Sequence, residues 1–382
     1  MAKAIVQAVL AVMAFGIQLG GVQAADAPKS AETVKIGVGL PLTGPLAFLG
    51  NEYLKGAQVA VDRVNGSGGV LGGRKIELVV RDHKGVPAEG LAVAKRLVTE
   101  DQVAIFMVDL PSSVTIAAQV VSKGSKAVQL SALAYAPDVT DKGNPYHFRT
   151  CTRAEESARA LGEYLASLPG NKTIAMVAPN DDYGRGDLGA MKAVFKKLGK
   201  PEVVYEDYYE RNQTDFNTLL LKMKSLNPEG YYINVRWPAS GIALQQMDDL
   251  SMLKGKQLSS SVNFFNRDLV KRAGSLMEGV VIGVTWAPML MDVESQKFVT
   301  AYKAKYGDEP NDSASQGYTP VMVAAMAIDK AGTATDQEKI REAVKNLTWD
   351  SPQGKIKFND QGDSGVPAHV LVFKNGQYQV VK

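Results

Sequence analysis

Adjacent carboxylates are the first place to look for a reaction, since a pair such as Asp181-Asp182 can divide into a general acid and a general base. Standing directly before Tyr183-Gly184, the same pair reads better as the start of a helix, whose free N–H groups favour acids. The three histidines, His83, His147 and His369, fall in separate segments, so a metal site or a triad would require the fold to gather them. No G-x-S-x-G elbow, G-x-x-x-x-G-K-[ST] loop or H-E-x-x-H helix is present. The run Gly66-Ser-Gly-Gly-Val-Leu-Gly-Gly73 follows a helix rather than a strand, which is the wrong context for cradling phosphate. Cys151 is the single cysteine; it excludes an intrachain disulfide and reads as a small buried apolar residue before it reads as a nucleophile. By subtraction, binding outranks catalysis. Two features suit binding: Ser112-Ser113 at a helix start, and Arg236 where the apolar run from Tyr231 gives way to a helix, the end of a strand at which α/β proteins keep their ligands.

The elements that must position these residues alternate regularly. Strand-like runs at 34–40, 75–81, 103–108 and 127–130 are separated by helical periodicity at 51–66, 87–100 and 112–123. A second series has helices at 154–168, 184–198, 214–226 and 239–253, with strands at 172–178, 202–207, 230–235 and 257–262. Repeated βαβ units predict parallel sheets covered by helices on both faces. The segments 144–150, 283–288 and 348–352 lack helical period and suit chains crossing between two halves, which would leave the halves interwoven. The tail after 353 reads as short strands and turns.

At 382 residues and 45% hydrophobic content the chain is globular and long enough for two domains. Residues 1–24 read as a signal peptide, with Lys3 ahead of an apolar run that ends in Val22-Gln-Ala24. A soluble exported product follows, with no membrane insertion once the leader is removed. Basic and acidic residues number 43 and 40, too even to point to a nucleic acid partner. No cofactor or metal is expected.

Leu42-Thr-Gly-Pro-Leu-Ala-Phe-Leu-Gly50, Gly56-Ala-Gln-Val-Ala-Val-Asp-Arg-Val-Asn65 and Gly68-Gly-Val-Leu-Gly-Gly-Arg-Lys75 resemble the opening of type I periplasmic solute-binding proteins. Within these, the chain is similar to the leucine/isoleucine/valine-binding branch that serves ABC importers. Ser131-Ala-Leu-Ala-Tyr-Ala-Pro137, Asn180-Asp-Asp-Tyr-Gly-Arg-Gly186, Asp215-Phe216 and Gly317-Tyr318 extend the likeness over essentially the whole mature chain. The resemblance implies an α/β fold of two Rossmann-like lobes with parallel central sheets joined by three crossover strands, and a ligand held in the cleft between them. Lobe I is expected at 34–148 and 286–347, lobe II at 149–285 and 348–382. The resemblance also implies a periplasmic location and ABC permease membrane subunits as partners.

Carried over residue by residue, the resemblance places Ser112 and Ser113 at the ligand carboxylate, although serines there also serve as N-caps. The family's next element, a small hydroxyl in the loop that holds Leu133, is here Tyr135. Tyr183 matches a cleft tyrosine, and Leu49, Phe48 and Trp286 sit on loops that border the cleft or a crossover. The acid that meets an amino acid's ammonium would fall in 260–266, where the sequence has Asn263 and, expected as a further wall of the cleft, Phe264 and Phe265, but no Asp or Glu. Arg236 takes a position that is usually aromatic or neutral, and it reads as a bidentate donor to a carboxylate. Its bland alternative is a surface arginine or one paired with Asp248 or Asp249. A cleft that has lost an anion and gained a cation predicts an aromatic or hydrophobic carboxylate without an amino group. The alternative is a branched-chain or other neutral amino acid whose ammonium protons go to Asn263, Tyr135 or backbone carbonyls. An exported hydrolase is the rival from another class and would require turnover of the bound compound.

Overall fold

The computed structural model describes residues 33–210 and 212–381; the expected leader at 1–24 lies outside them. Strands β1 (Val34–Leu40), β2 (Ile76–Asp82), β3 (Ile105–Val108), β4 (Gln129–Ser131) and β5 (His147–Arg149) form a parallel sheet in the order β2-β1-β3-β4-β5. Helices α1 (Ala47–Gly66), α2 (Pro87–Thr99), α3 (Ser112–Ser125) and the single turn α4 (Asp138–Asp141) connect them. The four residues of β3 are all buried, as a parallel strand covered on both faces requires. Val38 and Leu40 belong to one apolar layer, and Val93, Leu97 and Val114 to the layer on the opposite face.

The second sheet is built from β6 (Thr173–Pro179), β7 (Glu202–Tyr209), β8 (Gly230–Ile233), β9 (Gln257–Ser260) and β10 (Val281–Val284), and two C-terminal strands join it antiparallel. Along β6 the period of two is explicit: Ile174, Met176 and Ala178 enter one core, Ala175 and Val177 the other. Its helices are α5 (Ala154–Ser167), α6 (Asp182–Leu198), α7 (Asn217–Ser225), α8 (Ala239–Asp249) and α9 (Arg267–Ala273). The expected strand to 262 stops at Ser260, because Ser261 caps a 3₁₀ turn over Val262–Phe264 by accepting from the Asn263 N–H.

The chain then returns to the first sheet as α10 (Val293–Tyr306), α11 (Asp312–Ala331) and α12 (Gln337–Lys345), whose Phe298, Val321 and Ile340 join the first core. A separate hairpin follows, β11 (Thr348–Ser351) and β12 (Gly354–Lys357), before β13 (His369–Lys374) and β14 (Gln377–Val380) complete the second sheet. The expected return to lobe II at 348 is therefore corrected: Ile356, Phe358 and Val366 bury against the first core, and the chain crosses only afterwards. Trp286, expected near the cleft or a crossover, is fully buried in the same core, its indole N–H donating to Ser295. Cys151 is buried and its thiol is pushed above the usual range by burial, which leaves it unreactive.

The chain passes between the sheets near 150–153, 285–292 and 359–368, giving a two-lobed α/β fold joined by crossovers. The first and last passages are tied by an ionic cluster. Arg149 is fully buried and its Nη2 lies 2.6 Å from Asp363 Oδ1; Arg153 Nη1 meets Asp363 Oδ2 at 2.8 Å. The remaining Arg149 donors go to the carbonyls of Ala134 and Ala136 and to Thr140 Oγ1. Burial alone would raise the Asp363 pKa, but the two guanidiniums outweigh it and hold the carboxyl below its ordinary value. Asp363→Asn strands the Arg149 charge, and we expect a loss of about 3–5 kcal/mol in urea unfolding at pH 7. Because the folded pKa is depressed, this contribution is present above the unfolded value of about 4 and lost as pH falls through the folded one. The gap between variant and wild type should close in acid, and a gap that persists there would show that the charge is not its source.

Candidate functional site

The parallel strands of both sheets direct their carboxyl ends at one cleft. The first lobe lines it with Phe48 and Leu49 after β1, Leu110, Pro111 and Ser112 after β3, Leu133 and Tyr135 after β4, and Asn311, Asp312 and Ser313 at the head of α11. The second lobe supplies Tyr183 after β6, Arg236 after β8, and Val262, Asn263, Phe265 and Asn266 after β9. These residues enclose a cleft that is open to solvent at its mouth.

Asp109, just after β3, sets the first-lobe face. Fully buried, its carboxylate accepts from the N–H groups of Leu110, Ala132 and Leu133 and from Thr115 Oγ1 at 2.5–3.0 Å. Two loops are thereby locked together, and Leu110 is held at φ +60°, a conformation leucine seldom adopts. On the second-lobe side, Asn263 Nδ2 donates to Asn234 Oδ1 at 2.6 Å, and the Tyr183 hydroxyl lies 3.1 Å from Ser261 Oγ. Tyr135 and Tyr183 approach across the cleft with ring centroids 6.1 Å apart.

Several sequence-derived candidates thus meet: Leu49, Ser112, Leu133, Tyr135, Tyr183, Arg236 and Asn263. Ser113 does not line the cleft; its hydroxyl is buried without a hydrogen-bond partner among the described residues. Phe264 is fully buried in the second-lobe core, and its neighbour Phe265 lines the cleft instead, since the 3₁₀ turn sends the two rings in different directions.

Charge is where the sequence reading needs correction. Arg236 pairs with neither Asp248 nor Asp249; its Nη1 lies 2.9 Å from Asp181 Oδ2, and its guanidinium stacks 4.8 Å from the Tyr183 ring centroid. Asp181 also caps α6 by accepting from the Gly184 N–H. The cleft's cation is therefore already balanced. Its anion, absent from 260–266, comes from the other lobe: Asp312 is 5% exposed, its Oδ2 accepting from the Tyr135 hydroxyl at 3.2 Å. Burial raises its pKa to about 7 against the effect of its hydrogen bonds. In the sequence Pro310-Asn311-Asp312-Ser313 is only a capping signal, which Asn311 fulfils by accepting from the Ala314 N–H. Nothing local shows that this helix start faces a cleft.

The position of Asp312 depends on two glycines. A Cβ at Gly56 of α1 would stand 1.7 Å from the Ala314 carbonyl oxygen, and one at Gly317 of α11 1.9 Å from that of Tyr53. Only glycine at both positions allows the helices this close.

Residues 33–373 match the family model described as periplasmic binding protein, and the chain belongs to that family. It is 29% identical over 340 residues to a leucine-, isoleucine-, valine-, threonine- and alanine-binding protein of Pseudomonas aeruginosa, covering 87% of this chain and 88% of that one. A second Pseudomonas aeruginosa relative, an amino acid binding protein, is 30% identical over 88% of this chain and 89% of its own. Among solved structures, a leucine binding protein from Thermotoga maritima superposes with a TM-score of 0.84 at 25% identity, covering 92% of this chain and 98% of that chain. Membership makes the protein a periplasmic transport receptor that works with an ABC permease, not an enzyme. The expectation of an aromatic or hydrophobic carboxylate without an amino group is overturned: relatives this similar bind amino acids, and the cleft carries the acid that the expectation took to be missing.

Gly317→Ala must push α11 away from α1, and we expect it to cost about 1–3 kcal/mol of stability and to weaken ligand binding by moving Asp312. Gly189→Ala, on the exposed face of α6 where an added Cβ meets nothing within 4 Å, should instead stabilise by about 0.5–1 kcal/mol. Thermal unfolding of both variants checks the contrast; equal melting temperatures would show that the close approach is not required.

Proposed function

We propose that the protein captures a neutral α-amino acid, branched-chain side chains among those accepted, and presents it to its permease. The observation that carries this reading is Asp312, a carboxylate held out of water in a ligand cleft with a pKa near 7. An ammonium placed against it supplies the charge that burial otherwise leaves unanswered. The ligand carboxylate sits at the start of α3, where Ser112 lines the cleft and the first N–H groups lack partners within the helix, and Arg236 approaches it from the second lobe as the lobes close. With Arg236 balanced by Asp181, the receptor needs a ligand carrying both charges rather than one. Leu49, Leu110, Leu133, Val262 and Phe265 offer apolar walls to a side chain. The named ligands of the relatives, leucine, isoleucine and valine among them, support the same class.

Calorimetric titration of leucine, isoleucine, valine, threonine and alanine against their 2-keto or 2-hydroxy counterparts tests the reading. The amino acids should bind and the counterparts should not, and equal affinity for leucine and its keto acid would sink it. Asp312→Asn should cost about 2–5 kcal/mol of amino-acid binding, the range for truncating one partner of a buried charge pair.

Affinity should also depend on pH. In the free protein Asp312 takes up a proton as pH falls through about 7, and an ammonium binds only the ionised form. The dissociation constant should be flat near pH 8, where Asp312 is ionised and the ligand ammonium still protonated, and rise by up to about tenfold per unit below 7. Asp312→Asn should abolish that slope; a wild-type profile flat from pH 5.5 to 8 would remove Asp312 from contact with the ligand.

A further inference from the structure

Behind the cleft lies a second, narrower cavity. It shares Tyr135, Tyr183 and Val262 with the cleft, so the two spaces meet along the tyrosine pair. Most of its wall is apolar or hydroxylated, but one residue is neither. Asp187 of α6 lines it and is 5% exposed. Its Oδ2 accepts from the Tyr232 hydroxyl at 2.7 Å and from Asn234 Nδ2 at 2.5 Å, while its Oδ1 has no hydrogen-bond partner among the described residues. The contrast with Asp109, which takes four donors on its two oxygens, is a contrast between a satisfied carboxylate and one with acceptor capacity left over. Among the described residues, no lysine or arginine lines this cavity to use that capacity. An N–H or O–H of a ligand that reaches this cavity meets an open carboxylate oxygen.

We infer that the inner cavity is a side-chain subsite in which Asp187 selects neutral amino acids that carry a hydroxyl or amide N–H donor over apolar ones of the same shape. This rests on the amino-acid reading above, with the head group in the outer cleft between Asp312 and Ser112 and the side chain directed past Tyr135 and Tyr183. The narrow, largely apolar cavity favours a neutral donor over a cationic one, because stripping water from an ammonium costs far more than from an amide or hydroxyl. Discrimination of this kind is strong where a site is built to hydrogen-bond its ligand, since the analogue without the donor leaves a buried acceptor unpaired.

The test is calorimetric titration with two pairs of near-isosteres, glutamine against methionine and threonine against valine, with lysine as a third arm. The wild-type protein should bind the donor-bearing member of at least one pair about tenfold or more tightly, and lysine more weakly than either member of the longer pair. Asp187→Leu should erase the preference by weakening the donor-bearing ligands, leaving methionine and valine within about threefold of wild type. The wild-type ratios stand whether or not that variant folds. Equal binding within both pairs, a preference for lysine, or a ratio unchanged in Asp187→Leu overturns the subsite while amino-acid binding survives. If no amino acid binds, or keto acids bind as well as amino acids, the reading of the outer cleft fails and the subsite fails with it.

Discussion

A carboxylate taken out of water must be met by donors or by a cation, and the architecture of this receptor follows from how its buried acids are met. Asp109 is fully answered from within one lobe, by two loops and a threonine, so it acts as a clamp that gives the first-lobe face a fixed shape. Asp363 is answered by two arginines near the first crossover, so it ties together segments more than two hundred positions apart in the chain. Asp312 and Asp187 are answered only in part, and both line cavities. The residual demand of the last two is what a ligand can satisfy.

Positioning these groups falls to rigid elements. Asp312 stands at the first turn of a twenty-residue helix pressed against α1 through Gly56 and Gly317, so its place is set by backbone packing rather than by a loop. Arg236 is fixed by an ion pair and by the face of Tyr183, two contacts that leave it little freedom to turn toward solvent. Preorganisation of this kind reduces the ordering that binding would otherwise require.

Net charge in a cleft is a sum over elements from every part of the chain. Counting acids in the one segment where a family places them led to a cation-rich pocket and to the wrong ligand class. The fold supplies one acid at position 181 to neutralise Arg236 and another at position 312 to line the cleft, and it reverses that conclusion. Both acids look like helix caps in sequence. Asp181 does cap its helix, whereas at the head of α11 the cap is Asn311 and the next residue is free to line the site.

The sequence by itself determined the layering. Apolar runs of four to seven residues alternating with helical periodicity left little but two parallel sheets covered on both faces, because hydrophobic period and backbone geometry are local properties. It also pointed to the loops after the strands, and so to Ser112 and Arg236, since parallel topology sends those loops to one edge, while Tyr135 and Tyr183 came from the family resemblance. Tertiary structure alone decided which of two neighbouring phenylalanines faces the cleft, because a 3₁₀ turn replaces the last residues of a strand and rotates both rings. It alone decided the partners of Arg236, and the meeting of Asp312 with Tyr135, 177 positions apart. Burial and ion pairing depend on what the rest of the chain folds against a residue, and no pattern within a few residues of Asp312 or Asp187 encodes that.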